Sequence, residues 1–337
     1  MKLRVLGSSG VKVSPICLGT MMFGAQTNEK AAAAIVAMAR DAGINFIDTA
    51  DVYVTGTSER ITGKLISKQR DKWILATKVG GPFGGGEDPN QGGLSRRWIT
   101  HQLDQSLRRL RTDYIDIYYF HREDHSTELE ESLRAIDGAI RAGKIRYFGL
   151  SNFRAWRHTE VVWLCKQLGM DKPVASQPYY NALNRMPEVE VLPVCAHHGL
   201  GVVPYSPVAR GVLTGKYESG RKPIRGSRAA RKDVRMMQTE YRPESFLVAE
   251  TVVKHAKACG MDPVHFAMHW VLANPLVSSV IAGPRTQAQM KIYLNTFEHE
   301  WKPEDEALID SLVSPGHPSS PGFSDPAYPI EGRPTSY

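Results

Sequence analysis

Trp73-Ile74-Leu75-Ala76-Thr77-Lys78 and Ile115-Asp116-Ile117-Tyr118-Tyr119-Phe120-His121 are short, mostly apolar runs, one closed by a lysine and the other by a histidine. Asn45-Phe46-Ile47-Asp48 is a third run of the kind, closed by an acid. Runs without strict polar alternation fit strands buried on both faces, as in a parallel sheet. Working outward, strands are expected at 16–20, 45–49, 73–78, 114–121, 146–151, 174–177, 201–206 and 277–283. Helical periodicity fills the gaps, as in Ile35, Met38, Ala39 and Ala42, or Val161, Leu164, Cys165 and Leu168. Ile99, Leu103, Leu107 and Leu110 mark another apolar stripe, and Met290, Tyr293, Leu294 and Phe297 a further one. Gly43, Gly143, Gly169, Gly199 and Gly260 stand where helices should end in a left-handed residue.

Eight strands, each followed by a helix, predict a closed (β/α)8 TIM barrel. A hairpin over 3–13, turning at Ser8-Ser9-Gly10, precedes it. An open doubly wound sheet is the alternative, but no GxGxxG or GxxxxGK[ST] occurs. The 337 residues read as a single barrel domain with an irregular C-terminal tail over 315–337. Two long loops, 80–93 (glycine-rich) and 206–245, would lie on the C-terminal face, where barrels build their sites.

Composition is that of a globular protein, 42% hydrophobic and 23% charged, with no apolar run long enough to span a membrane. The N-terminus Met1-Lys2-Leu3-Arg4-Val5 lacks the apolar core of a signal peptide, so a cytoplasmic location is expected. Four scattered cysteines, Cys17, Cys165, Cys195 and Cys259, form no CxxC pair and suggest no disulfide framework. Much of the net charge of +7 lies in 221–235, a basic stretch without interleaved aromatics. It reads as a solvated loop or as one near an anionic cofactor, and no nucleic-acid or membrane partner is expected. Neither HREDH (121–125) nor adjacent His197 and His198 has the spacing of a metal site, and no metal is expected.

Asp48, Tyr53, Lys78 and His121 stand at, or just past, successive strand ends. Hydride addition to a carbonyl leaves an alkoxide that needs a proton, which a phenol can donate. An ammonium beside that phenol stabilises the phenolate and lowers its pKa. Asp48 would pair with Lys78, and His121 would hydrogen-bond the carbonyl oxygen. Any one of the four, taken singly, reads as structural; together they predict carbonyl reduction. The other reductase pattern, Tyr-x-x-x-Lys, is absent.

With these residues in place, the sequence resembles the aldo-keto reductase family over nearly its whole length. Gly43-Ile44-Asn45-Phe46-Ile47-Asp48-Thr49-Ala50-Asp51-Val52-Tyr53, continued by Gly56-Thr57-Ser58-Glu59, is similar to the family's first signature. Lys78 after Ala76-Thr77 matches its lysine strand, and His121 its histidine. The resemblance implies NADP(H) as cofactor and a small-molecule carbonyl or alcohol as substrate. It also implies a set of cofactor-binding residues. Ser151, Asn152 and Gln177 would hold the carboxamide and Tyr205 would stack on the nicotinamide; Gly19 and Thr20 are further cofactor-binding candidates. Ser206, Pro207, Val208, Gly211, Leu213, Gly215 and Lys216 resemble the segment around the pyrophosphate. Gly283, Arg285 and Gln289 resemble the turn for the adenosine phosphate, and Arg285 would favour NADPH over NADH. Tyr293 stands where many members have Asn. The long loop after strand seven resembles the bacterial and potassium-channel-β-like branch. That branch implies either an enzyme, with a homo-oligomer possible, or a redox-sensing regulatory subunit with slow turnover.

Overall fold

The structure is a computed structural model that describes residues 1–84, 88–218 and 220–330. Residues 85–87 of the expected glycine-rich loop, Ser219 and residues 331–337 of the expected tail lie outside the described residues.

The strands are β1 (Arg4–Val5), β2 (Lys12–Val13), β3 (Ile16–Gly19), β4 (Phe46–Asp48), β5 (Ile74–Val79), β6 (Ile115–Phe120), β7 (Ile145–Ser151), β8 (Ala175–Gln177), β9 (Gly201–Val202) and β10 (Val280–Ala282). The helices are α1 (Glu29–Asp41), α2 (Thr57–Ile66), α3 (Arg96–Leu110), α4 (Leu129–Arg141), α5 (Ala155–Leu168), α6 (Val191–His198), α7 (Val234–Thr239), α8 (Pro243–Ala258), α9 (Pro263–Ala273), α10 (Gln287–Leu294) and α11 (Pro303–Leu312).

The chain divides into two compact units. The first comprises the described residues of Met1–Pro178, Glu190–Tyr205 and Asn274–Asn295. It holds all eight parallel strands, ordered β10-β3-β4-β5-β6-β7-β8-β9. Val202 pairs in parallel with Val277, and the Ile281 N–H donates to Pro204 O at 3.0 Å, so the last strand meets the first and the barrel closes. The expected strand over 201–206 narrows to Gly201–Val202, because Pro204 has no N–H to donate. Its neighbours still pair, Val203 with Ser176 O at 2.8 Å and Tyr205 with Pro178 O at 3.1 Å.

Side chains alternate across a strand, so one parity of positions fills the barrel. Cys17, Phe46, Ala76, Ile117, Tyr119 and Ala175 form that filling, with Leu6 and Val13 of the hairpin packed against it. Gly149 leaves the space that the Tyr119 ring occupies, and a Cβ there would collide with it. The hairpin β1–β2 lies at the N-terminal ends of the strands: Ser8 N–H donates to Gly199 O at 2.8 Å, and Gly7, at φ 56°, sits against the Gly201 backbone. The C-terminal ends are thereby left for a site.

The helices follow the expected stripes. Ile99, Leu103, Leu107 and Leu110 are all buried on α3, whose first turn is capped by the Ser95 side chain. All five glycines expected at helix ends have positive φ. The stripe continuing to Phe297 is corrected: α10 stops at Leu294, a 3-10 turn over Asn295–Glu298 follows, and Phe297 is 41% exposed.

The second unit comprises Tyr179–Val189, the described residues of Ser206–Ala273, and those from Thr296 onward. It packs α8 against α9 and α11. Arg185 anchors α11, donating to Asp310 at 2.7 Å and to Val313 O at 2.8 Å. No helix among the described residues is long and apolar enough to cross a membrane.

Candidate active site

Phe46, Ala76, Ile117 and Ala175 point into the barrel, so the residues two further on, Asp48, Lys78, Tyr119 and Gln177, point the same way one layer higher. His121, two past Tyr119, continues the series on β6. The register sets Asp48 beside Ala76 and Lys78 beside Tyr119. Strand periodicity therefore brings an acid, an amine, an imidazole and an amide to the C-terminal mouth.

The Lys78 side chain is fully buried and Asp48 is 2% exposed. Lys78 Nζ donates to Asp48 Oδ1 at 2.5 Å and to Thr49 O at 2.6 Å. The second carboxylate oxygen accepts from Gln177 Nε2 at 3.1 Å. Burial lowers the tendency of Lys78 to stay charged, but Asp48 and Tyr53 outweigh it and its pKa is raised. Burial pushes the Asp48 carboxyl up, against Lys78 and Gln177.

Tyr53 enters from the loop after β4. The following Val54 and Thr55 have φ of 50° and 48°, strained values for β-branched residues, and they turn the chain into α2. The Tyr53 ring centroid lies 5.0 Å from Lys78 Nζ and 5.9 Å from the His121 ring, edge to face. The expected net lowering of the Tyr53 pKa is not what this site produces. Burial, with the charges of Asp48 and Asp51 adding to it, raises the Tyr53 pKa against the lowering by Lys78. The phenol thus keeps its proton through neutral pH and has it to give. His121 is pushed down to about 3 by burial, with Lys78 and Arg122 adding to the effect. It is a neutral imidazole whose enclosed Nδ1 has no partner among the described residues.

Four cofactor candidates converge on the same layer. Asn152, held left-handed at φ 58°, donates to His121 O at 2.9 Å and to Ser151 Oγ at 3.0 Å, and accepts from Tyr205 OH at 2.8 Å. Ser151 Oγ donates to Gln177 O at 3.0 Å. Thr20 is buried and its hydroxyl donates to Asp48 O at 3.0 Å, so it props the acid; Gly19 pairs with Asp48 in register. Gly283, Arg285 and Gln289 form the β10–α10 turn, where the Arg285 N–H donates to Gln289 Oε1 at 2.8 Å and Thr27 Oγ1 to Arg285 O at 3.1 Å. Tyr293 is partly buried on α10.

Ser206, Pro207, Val208, Gly211, Leu213, Gly215 and Lys216 belong to the second unit. Ser206 is left-handed at φ 60°, and a kinked 3-10 turn follows over Ala209–Thr214, with Arg210 at φ 48° and Gly211 at φ 99°. Leu213 is buried and anchors the turn, whereas Lys216 is part-exposed, 5.1 Å from the Tyr217 ring centroid. Arg210 pairs at 2.6 Å with the fully buried Glu240, which also accepts from Tyr179 OH at 2.6 Å. The basic stretch 221–235 is partly neutralised: Arg228 pairs with Asp233, Arg235 with Asp325 and Arg221 with Glu218.

Sequence reasoning missed a buried polar layer behind Tyr53. Asp51 is fully buried, accepting from Val52 N–H at 2.7 Å and from Gln102 Nε2 at 3.0 Å. Burial, with Glu59 nearby, pushes its carboxyl up to about 7. Glu59, also buried, accepts from Thr77 Oγ1 at 2.6 Å and Arg109 Nε at 2.5 Å. Gln102 on the apolar side of α3 was the one signal in the sequence, a polar residue at a core position. Phe23, Trp98 and Tyr119 are all buried.

The class is thus a (β/α)8 barrel whose strand ends converge on a buried lysine–carboxylate pair flanked by a phenol and a neutral imidazole. The chain belongs to the aldo/keto reductase family, whose sequence profile matches residues 15–314. It is 37% identical over 297 residues to a probable voltage-gated potassium channel subunit beta of Arabidopsis thaliana, covering 86% of this chain and 89% of that one. It is also 37% identical over 310 residues to the uncharacterized oxidoreductase YrpG of Bacillus subtilis (strain 168), covering 88% and 91%. A probable voltage-gated potassium channel subunit beta of Oryza sativa subsp. japonica is 37% identical over 296 residues, covering 86% and 89%. The protein is accordingly an oxidoreductase.

Proposed function

We propose that the protein reduces an aldehyde or ketone to its alcohol with NADPH, using Tyr53 as the proton donor. The carrying observation is the fully buried Lys78, held by Asp48 Oδ1 and Thr49 O beside the Tyr53 ring. A buried ammonium held this way is costly unless paired, and here it lies where phenolate charge would develop. Tyr53 releases its proton to the carbonyl oxygen, and Lys78 offsets the charge left on the phenolate; positioned acids of this kind contribute roughly 10²–10⁴ in rate. Neutral His121 donates a hydrogen bond to the same oxygen and orients it. Run backwards, the same residues oxidise an alcohol.

The residues fit a nicotinamide dinucleotide. Asn152 holds a left-handed backbone between His121 and Tyr205, strain of the kind that marks ligand clamps. Ser151, Asn152, Gln177 and Tyr205 would hold the nicotinamide end, and Gly283, Arg285 and Gln289 the adenosine phosphate. Arg285 supports the phosphorylated form, since a guanidinium suits a 2′-phosphate. NADPH, when bound, supplies the hydride.

The likeness to probable channel beta subunits favours a second reading, in which the same site binds the nucleotide to report redox state and turnover is incidental. NADPH oxidation over a panel of aldehydes and ketones separates the two. Sustained multiple turnover on any carbonyl supports the enzyme. A single stoichiometric burst followed by slow nucleotide release supports the sensing subunit.

A further inference from the structure

We propose that His255, Cys259 and Asp305 form a binding site for a divalent transition metal, best suited to Zn²⁺, on the second unit. The three offer one nitrogen, one sulfur and one oxygen, all within 4.8 Å of one another. Cys259 Sγ lies 3.7 Å from His255 Nε2, and Nε2 lies 2.7 Å from Asp305 Oδ1. Ligand–ligand edges around tetrahedral zinc run about 3.3–3.8 Å, given zinc–ligand bonds of about 2.0–2.3 Å. The sulfur–nitrogen edge already has that length. The nitrogen–oxygen edge needs to open by about half an ångström, within reach of a carboxylate rotation once the ion replaces the hydrogen between them.

The ligands are held by the fold. His255 and Cys259 are four residues apart at the C-terminal end of α8, so they share one face. The negative end of the helix dipole lies there and favours a cation. The His255 ring packs edge-on against buried Phe266, with centroids 5.6 Å apart. Asp305 sits in the first turn of α11, where its Oδ2 accepts from Lys302 N–H at 3.1 Å and leaves Oδ1 for the ion. Thiolate plus carboxylate balances a divalent charge, and a set of one sulfur, one imidazole and one carboxylate selects zinc over magnesium or calcium. Cys259 is exposed, so the fourth position opens to water. An ion there straps α11 to the end of α8.

The other three cysteines are buried, which makes the test specific to one thiol. Untagged, chelator-stripped protein is titrated with Co²⁺ as a spectroscopic stand-in for zinc, then with Zn²⁺ in competition. The expected result is a single equivalent bound with a thiolate-to-cobalt charge-transfer band and intense tetrahedral visible bands, both displaced by zinc. Cys259→Ser abolishes the charge-transfer band, and His255→Ala and Asp305→Asn each weaken binding by about tenfold or more. Asp305→Asn keeps an oxygen for the Lys302 N–H, so its effect is not that of a lost helix cap. Zn²⁺ also raises the melting temperature of the wild type and leaves that of Cys259→Ser unchanged. No charge-transfer band, a band that persists in Cys259→Ser, or equal thermal shifts in both proteins would overturn the proposal.

Discussion

Replacing Asp51 by asparagine should change how stability depends on pH. The Asp51 carboxyl titrates at about 7 in the folded chain, against an ordinary value of 3.8, because it is buried beside Glu59. In the unfolded chain it ionises near its ordinary value. Between the two values the folded protein binds more protons than the unfolded one, so stability falls as pH rises. The favourable contribution is complete below about pH 4 and is lost once pH passes about 7. Three units at roughly 1.4 kcal/mol each make the loss about 4 kcal/mol. The residue is fully buried, so no solvent screening reduces that figure. The introduced asparagine would keep the Val52 N–H bond through its oxygen, and Gln102 can turn its amide to accept from the new NH₂. Urea unfolding of wild type and Asp51→Asn, measured from about pH 4 to pH 8, reads the effect. The two proteins should be close in stability at the acid end, with the variant more stable by a few kcal/mol at the alkaline end. Parallel curves would refute the reasoning, because they would mean that Asp51 is charged throughout or already relieved by Arg109.

Three further outcomes follow from the same geometry. Lys78→Met strands buried Asp48 and should cost about 3–5 kcal/mol in thermal or urea unfolding, with Asp48→Asn in the same chain recovering part of it. Arg210→Gln leaves Glu240 buried against Tyr179 and should destabilise the second unit by a similar amount, read as an earlier melting transition. Gly149→Ala drives a methyl into the Tyr119 ring and should cost about 1–3 kcal/mol, whereas Gly138→Ala, in open space on α4, should be neutral or stabilising.

The barrel was legible because its strands are written in apolar runs that need no partner to be recognised. The catalytic candidates were legible because each closes, or closely follows, such a run. The period-2 alternation then does the rest: once Ala76 faces inward, Lys78 must as well. Contacts made from helices to distant parts of the chain were not legible. Gln102 meets Asp51, Arg109 meets Glu59, Arg210 meets Glu240 and Asp305 meets His255 because helices are rotated and spaced by packing, which no local pattern encodes. The balance at Tyr53 was misjudged for a related reason. The neighbouring charge can be named from sequence, but the burial that works against it is a property of the closed barrel.

In the proposed reaction Tyr53 donates the proton with Lys78 at its side. Single-turnover oxidation of NADPH by an accepted carbonyl, in wild type and Tyr53→Phe, with NADPH affinity measured in parallel, tests it most directly. The rate in the variant should be lower by about 10²–10⁴, with affinity nearly unchanged. An undiminished rate, with the nucleotide bound equally well, would show that another group supplies the proton.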